Sequence, residues 1–345
     1  MELLLLDKDF NNLGQIAPTS IQWNRKYYEA GDFMVMIDTA QYNPNACYLY
    51  TNERPELGVI SKVEYQVDKV ATIQISGNFA EKILDDSVIY PTFYGNGPCG
   101  ATCKTMVQQY AGMDMVTEGA IPADKVTFQE TGAKLGSKIY EILSQFGCGY
   151  RVVYDFPKNL MKFETYQGKD RSQDNSSGEN FITFSVTWDN LSDVSVIVDA
   201  SDFKNYAIVG GQGEGENRTY QIVDNSKGER KKMVFVDSRN SQFDEKKQTW
   251  QEYLDGLKQE GLEALEQHKR IENIDFFPIV GGYEYLNDYD LGDLCDAVVE
   301  PLDLQIKGRI IEVHEVFEKG IHSIELELGD RIISKINKIE RKLII

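Results

Sequence analysis

No apolar run in this sequence approaches the roughly 20 residues a membrane-crossing helix needs, and the opening Met1-Glu2-Leu3-Leu4-Leu5-Leu6-Asp7 has neither a basic leader nor a small-residue cleavage site. The expectation is a soluble chain made in the cytoplasm, with no secretion signal and no stable membrane insertion. Basic residues are in deficit: 36 Lys and Arg stand against 55 Asp and Glu, a formal net charge of −19. Such a balance repels phosphate backbones and offers no counterion release, which argues against tight nucleic-acid binding. Cysteine is sparse and odd in number, and Cys47, Cys99, Cys103, Cys148 and Cys295 form no framework, so they read as reduced, mostly buried thiols. Only three histidines are present.

What is there suffices for several cores. At 345 residues, with 41% hydrophobic and 26% charged, the chain exceeds one ordinary domain and is not disordered, so two or more folding units are expected. Strand patterns run over 3–6, 20–28, 33–37 and 47–51, with turns at Gly31-Asp32 and Asn52-Glu53-Arg54-Pro55. A longer pair, 58–67 and 70–76, joins at Asp68-Lys69. Meanders of this kind imply a small barrel or sandwich. Helical spacing takes over at 79–84, 101–110 and most clearly 131–146, where Leu135, Ile139, Ile142, Leu143 and Phe146 recur. Strands follow at 150–156 and 161–166, then a polar stretch, 168–180, that reads as an exposed loop.

Beyond it the pattern is β again, at 181–188, 194–199, 206–209, 219–223 and 233–236. Residues 244–273 interrupt it with an amphipathic helix striped by Trp250, Leu254, Leu257, Leu262 and Leu265. Strands return at 293–299, 304–315 and 322–328, with Glu318-Lys319-Gly320 as the last hairpin turn. The fold class expected is mainly β with α+β insertions. Its divisions are a first β-barrel domain (1–88), a mixed α/β domain (89–180), a second β-barrel domain (181–243 and 274–345) and an inserted helical segment (244–273).

Motifs that suggest chemistry each have a plainer reading. The string from Gly210 to Arg218, with Gly211, Gly213 and Gly215, invites a phosphate cradle, but a strand rather than a helix follows and two glutamates sit inside it, so a hairpin loop is preferred. Cys99 and Cys103 are misplaced for a redox pair or a zinc site and read as buried thiols at a helix start. Asp288, Asp290, Asp293 and Asp296 lack the glycine and the closing glutamate of a calcium loop, and read as a turn. His268 falls on the charged helix, while His314 and His322 are expected to face each other near the final hairpin. Nothing local resembles a peptidase nucleophile, and abundant carboxylates alone do not make a glycosidase pair.

Three stretches in order resemble the siphophage tail-tip hub (tail-associated) proteins, akin to the hub subunits of contractile tails. They are Ile21-Gln22-Trp23-Asn24-Arg25-Lys26-Tyr27-Tyr28-Glu29-Ala30-Gly31-Asp32-Phe33, the run from Asp199 through Asn205 to Arg218, and the run from Asp288 through Tyr289, Leu291, Gly292 and Asp293 to Arg309 and Glu312. The resemblance implies a structural role for Trp23, Tyr27, Tyr28, Gly31, Phe33, Asn205, Gly210, Gly211, Gly213, Gly215, Arg218, Tyr289, Leu291, Gly292, Asp293, Arg309 and Glu312, and no catalytic, cofactor-binding or metal-binding residue. It further implies a homotrimer whose two similar β-barrels per subunit form a pseudo-six-fold ring continuing the tail tube. The implied partners are the distal tail protein, the tail tube, the tape-measure protein and a downstream tip or fibre protein. DNA would pass through the lumen without specific binding. Because the sequence stops at Ile345, a C-terminal lysin, fibre or spike domain is not expected. The rival readings are a cell-wall hydrolase of the tail tip and a carbohydrate-binding β-sandwich adhesin using some of the 19 tyrosines.

Overall fold

The computed structural model describes residues 1–67, 71–112, 115–118, 124–279, 282–302 and 304–329. The expected turn at Asp68-Lys69 and the end of the second β unit, 330–345, lie outside the described residues. The first unit contains β1 (Leu3–Leu6), β2 (Asn12–Ile16), β3 (Ser20–Lys26), β4 (Asp32–Asp38), β5 (Tyr48–Tyr50), β6 (Gly58–Val67) and β7 (Ala71–Phe79). They pair in the order β3-β4-β7-β6-β5-β1-β2. Alternation sets the inner face: Phe33, Val35 and Ile37 of β4 meet Leu3, Leu5, Trp23, Ile75 and Phe79 in one core. Strand β2 carries a single buried residue, Ile16, which is why its pattern escapes a sequence reading.

The mixed unit follows a 3-10 turn at Ala80–Asp86, where helical spacing alone suggests an α-helix. It comprises β8 (Phe93–Pro98), α1 (Cys99–Tyr110), β9 (Val116–Glu118), β10 (Lys125–Glu130), α2 (Leu135–Ser144), β11 (Gly149–Asp155) and β12 (Leu160–Tyr166). Leu135, Ile139, Ile142 and Leu143 form the buried stripe of α2 and pack with Cys99, Cys103 and Met106 of α1 and with Val152 and Phe163. The helix begins later than position 131, because Gly132 turns the chain at φ +88°.

The rest is β13 (Thr183–Ser185), β14 (Leu191–Asp199), β15 (Tyr206–Gly210), β16 (Tyr220–Asp224), β17 (Met233–Asp237), α3 (Trp250–Gln267), β18 (Ile271–Pro278), β19 (Leu294–Val299), β20 (Leu304–Glu318) and β21 (Ile321–Gly329). The sheet of the first unit continues through β3 into β20, β21, β18 and β14, with β19 on β20 and β13 on β19, making 13 strands. The fold is therefore mainly β, and its two β units join edge to edge at β3 and β20. Lys319 and Gly320, both at positive φ, turn β20 into β21 as a two-residue hairpin.

Pairing also shows which strands are inserted. β15, β16 and β17 pair with one another in the order β16-β15-β17 and stand apart from the large sheet, while Asp199 and Ile271, which flank them and α3, are direct partners in the β14–β18 ladder. Residues 200–270 thus form one excursion, in which α3 covers one face of a small sheet. Tyr253 and Leu257 cluster with Val209, Leu265 clusters with Ala207 and Val223, and Gly261 lets the helix close onto Val209 and Val223. Period two cannot separate these strands from those of the large sheet, since it states which face is buried and not which neighbour is paired.

Thr249 caps α3 reciprocally with Glu252. The opposite side of α3 meets the mixed unit, where Lys138 Nζ lies 2.9 Å from Glu263 and Gln259 donates to Gln145 at 2.6 Å. The stretch 168–180 is a loop but not uniformly exposed. Arg171 and Ser172 are buried, held by Asp293 and by the Arg171 N–H bond to the Leu294 carbonyl.

Candidate functional site at the seam of the two β units

Antiparallel pairing of β3 with β20 runs from Ser20 opposite Glu318 to Lys26 opposite Glu312, and at its end the Tyr27 N–H reaches the carbonyl of Ile311 in a bulge. On a strand with one wet face, alternate residues would be exposed; here Trp23, Asn24 and Arg25 are all buried, because both faces are covered at the seam. Arg25 donates through Nε to Glu56 at 2.7 Å and through one terminal nitrogen to Asp290 at 2.7 Å and to the Tyr285 hydroxyl at 2.5 Å. Beside it Arg54 grips Glu315 with two hydrogen bonds, 2.7 and 2.5 Å, and lies over the Tyr285 ring. His322 Nε2 lies 3.0 Å from the same carboxylate. Arg25, Arg54 and Glu56 come from the first β unit, whereas Tyr285, Asp290, Glu315 and His322 come from the second.

Burial alone would discharge these groups, and their partners prevent it. Burial works against the charge of Arg25, but Glu56, Tyr285 and Asp290 outweigh it and hold its pKa well above the ordinary arginine value. Burial likewise favours the neutral acid at Glu315, yet Arg54 and His322 prevail and its pKa is lowered. An ion cluster whose arginines, Glu56 and Glu315 are buried adds little net stability over an apolar core, but it penalises every arrangement that separates its members. Its chemistry is positional.

A second cluster adjoins it. The Tyr27 hydroxyl donates toward the carbonyls of Gly147 (3.1 Å) and Tyr166 (3.2 Å) and accepts from the Gly168 N–H, while the Arg309 guanidinium lies 5.3 Å from the ring centre. Arg309 also donates to the Gly292 carbonyl, and Gly292 itself abuts the ring. Tyr28 stacks edge-on against Tyr27, Tyr289 and Leu291 are buried in the same core, and Asp293 accepts from Arg171 at 2.7 Å. The structure thus gathers Tyr27, Tyr28, Tyr289, Leu291, Gly292, Asp293 and Arg309 around the seam, with Glu312 opposite Lys26 at its end. Trp23 and Phe33 belong instead to the core of the first unit, and Gly31 lies under the Asn24 carbonyl and Phe79.

Asn205 and the glycine string sit apart in the excursion. Asn205 accepts from the Lys232 N–H at 2.7 Å, and Arg218 bonds back to the carbonyls of Gly210 and Gly211 and to Asp237. Gly213 and Gly215 take positive φ, +93° and +55°. Gly210 and Gly211 do not; a side chain there would strike Arg218 in the first case and Tyr253 and Leu257 in the second, so close approach rather than turning requires them. A strand, β16, follows the string, and its backbone is engaged by Arg218.

Residues with chemical potential are committed elsewhere. Burial pushes the thiols of Cys99 and Cys148 up to about 11 and about 12, so they are not thiolates at neutral pH. Asp288 accepts from the Glu284 N–H and Asp296 from the Gln173 N–H. The two late histidines do not face each other: His314 sits opposite Glu325 and bonds to Asn24, whereas His322 sits opposite Phe317 and stacks on it. The two-residue turn at Lys319-Gly320 sets this register, since it pairs Glu318 with Ile321 and so Phe317 with His322 and His314 with Glu325. The ion cluster itself, Arg25, Arg54, Glu56, Tyr285 and Glu315, was not singled out from the sequence. Its only local signal is charge at inward strand positions, as with Arg25 two residues after Trp23.

Over residues 2–330 the chain matches the family described as Siphovirus ReqiPepy6 Gp37-like protein. It belongs to that family. The resemblance to siphophage proteins drawn from the three motifs holds at this level. Among curated proteins, none matches the Gp37-like chain by sequence. Solved structures share its fold along nearly the whole length. A tail protein from Neisseria meningitidis MC58 superposes with a TM-score of 0.60 at 11% identity, covering 95% of either chain. The 43 kDa tail protein of prophage MuSo2 from Shewanella oneidensis gives 0.61 at 13% identity, covering 95% of the Gp37-like chain and 98% of its own. Prophage tail protein gp18 from Listeria monocytogenes EGD-e gives 0.60 at 15%, covering 99% and 98%.

Proposed function

We propose that this Gp37-like protein is a structural component of the virion tail, a hub that adapts the six-fold tube and distal tail protein to a three-fold tip. The observation that carries this reading is the seam: two β units in one chain, joined edge to edge through β3 and β20 and locked by the Arg25–Glu56–Asp290 and Arg54–Glu315 ion pairs. Three such chains supply six β units, the number a six-fold tube presents, and closed rotational symmetry is the ordinary way to repeat a contact without leaving open ends. The fold shared with solved tail proteins supports the same role. In this reading the domains are 1–88, 89–180, a second β unit that includes 181–199 and 271–329, and 200–270 as the inserted unit, a division that the β14–β18 pairing of Asp199 with Ile271 supports.

In this reading the seam residues are architectural and none is catalytic. The neighbours are the distal tail protein, the tail tube, the tape-measure protein and a tip or fibre protein, and DNA passes through a lumen whose wall is net negative. Repulsion from such a wall lets a polyanion slide without adhering, and because screening confines the effect to about 8 Å at physiological salt, only the residues lining the channel matter. The test is mass in solution together with a zymogram and an image of tails carrying the labelled subunit. Trimers or rings at the tail tip without lysis support the hub. Monomers that clear cell wall would instead establish the hydrolase, and glycan-dependent retention of monomers the adhesin.

A further inference from the structure

The two β units repeat one order of pairing. Neighbours run β3-β4-β7-β6-β5 in the first and β14-β18-β21-β20-β19 in the second, and every step is antiparallel. The excursion stands where a turn joins β3 to β4. Registers agree as well. A bulge falls between Ile60 and Lys62 on β6 and between Ile310 and Glu312 on β20, and just before it Gly58 and Gly308 lie opposite Leu49 of β5 and Cys295 of β19. Followed ladder by ladder from that bulge, Lys62, Ser76, Met34 and Gln22 take the places of Glu312, Glu327, Asp275 and Ser195. Strand β3 thus corresponds to β14, and the half of β6 beyond its bulge to the same half of β20.

Within the chain, β3 pairs with that half of β20 at the seam. Their counterparts have no such neighbour: among the described residues β14 pairs only with β18, and β6 from Lys62 onward only with β7. Exposure follows from this. Val313 and Glu315 are buried at the seam, whereas the equivalent Val63 and Tyr65 are 39% and 66% exposed; Arg25 is buried, whereas the equivalent Val198 is 55% exposed. An open apolar strand edge invites pairing with another chain.

We propose that β14 of one copy pairs antiparallel with the outer edge of β6 on the next copy, repeating between chains the join that β3 and β20 make within one. The inference rests on the ring reading above and names its contact. What commits the edge to a second copy is the register. Gln22 lies opposite Val316, and the equivalent residues are Ser195 and Gln66, so Val198 falls opposite Val63, Val196 opposite Tyr65 and Val194 opposite Val67. Each exposed apolar residue of the β6 edge then meets a valine, and at the end of the ladder Lys62 meets Asp199, a pair of opposite charge. Val194 and Val196 already lean on the core of the second unit, as Trp23 does on that of the first, so both joins present the same side of the sheet. The two joins differ in chemistry: Arg25 and Glu315 inside the chain are replaced by Val198 and Tyr65 between copies, so no buried charge has to find its partner on another chain. Because the two edges are unlike, the contact runs head to tail, and repeating the step from one β unit to the next closes a ring.

The experiment uses the full chain carrying Val63→Cys and Val198→Cys together, oxidised in solution and in assembled tails and read on a non-reducing gel. Directly opposed residues of an antiparallel ladder hold their Cα atoms about 4.5–5.5 Å apart, within reach of a disulfide. The double variant should run as a covalent trimer, and trapping by a covalent bond needs no stable dimer along the way. Wild type and each single substitution set the background from the five native cysteines. Val67→Cys with Val198→Cys, roughly 13 Å out of register, should link no more than that background. Val198→Asp, folded by circular dichroism, should weaken self-association about tenfold or more in sedimentation. Equal linking by the two cysteine pairs, or no linking by the first while the wild type assembles, overturns the contact and leaves the ring standing on other surfaces. So does an assembly that Val198→Asp leaves unchanged. A wild type that is monomeric in solution and present as a single copy in tails removes the ring and this contact together.

Discussion

The ring of Tyr27 lies directly on Gly292, so close that a methyl group in place of the glycine hydrogen would stand 2.2 Å from a ring carbon. The two residues come from different β units, and Gly292 also holds φ at +93°, a conformation other residues adopt only under strain. Gly292→Ala should therefore cost about 2 kcal/mol or more, combining left-handed backbone with a displaced aromatic ring. Chemical denaturation checks it. Tyr27→Phe, which keeps the ring and removes the hydroxyl, should cost only about 1 kcal/mol. Equal losses from the two would show that shape at Gly292 is not the constraint.

At the ion cluster, Arg54→Met leaves the buried Glu315 carboxylate with His322 as its remaining side-chain hydrogen-bond partner among the described residues and should destabilise by about 3–5 kcal/mol. Adding Glu315→Leu should recover most of that loss. The sign with pH follows from the lowered pKa of Glu315: the stability it contributes is present above its unfolded value near 4.5 and disappears as pH falls through the folded value. Melting temperatures of wild type and double variant should converge in acid. Parallel curves down to the lowest pH would refute the assignment.

Glu81 should behave in the opposite sense. One of its oxygens accepts from the Val152 N–H at 2.8 Å, the other has no hydrogen-bond partner among the described residues, and burial raises its pKa to about 8. A carboxyl raised from 4.5 to about 8 on folding stabilises the protein fully below pH 4.5 and loses that contribution as pH climbs toward 8, at roughly 1.4 kcal/mol per pH unit. The difference in stability between wild type and Glu81→Gln, measured from pH 5 to 8, should slope accordingly. A flat difference would mean that Glu81 is ionised in the folded protein.

Excision discriminates between the helix and the whole excursion. Replacing residues 200–270 with a short Gly/Ser turn should leave a folded chain, since Asp199 and Ile271 are already cross-strand partners and only a hairpin connection is needed. Removing α3 alone uncovers Ala207, Val209 and Val223 and should yield aggregation-prone protein. Solubility and hydrogen exchange of the large sheet are the readouts. A soluble, well-protected product from the helix deletion would show that the small sheet does not need its cover.

Much of the local structure was legible. The stripe Leu135, Ile139, Ile142 and Leu143 dictates α2, and Lys319-Gly320 between two alternating runs dictates the final hairpin. Both signals are local, set by side chains within one turn of helix or by two residues of positive φ. The three motifs also carried enough family character to point toward siphophage proteins. What the sequence by itself determined, then, is most of the strands and helices, the faces they bury and which family they belong to; β2, β8, β10 and β18, whose apolar patterns are too short or too irregular, were not among them.

The tertiary structure decided the rest. Nothing near Arg54 indicates that its partner is Glu315, 261 residues away, and nothing in 206–236 shows that these strands leave the large sheet to form their own. A period of two specifies a buried face and is silent about the neighbour across it. Partners are chosen only when the whole chain closes, by the free energy of leaving a buried charge unpaired or a strand edge unmatched.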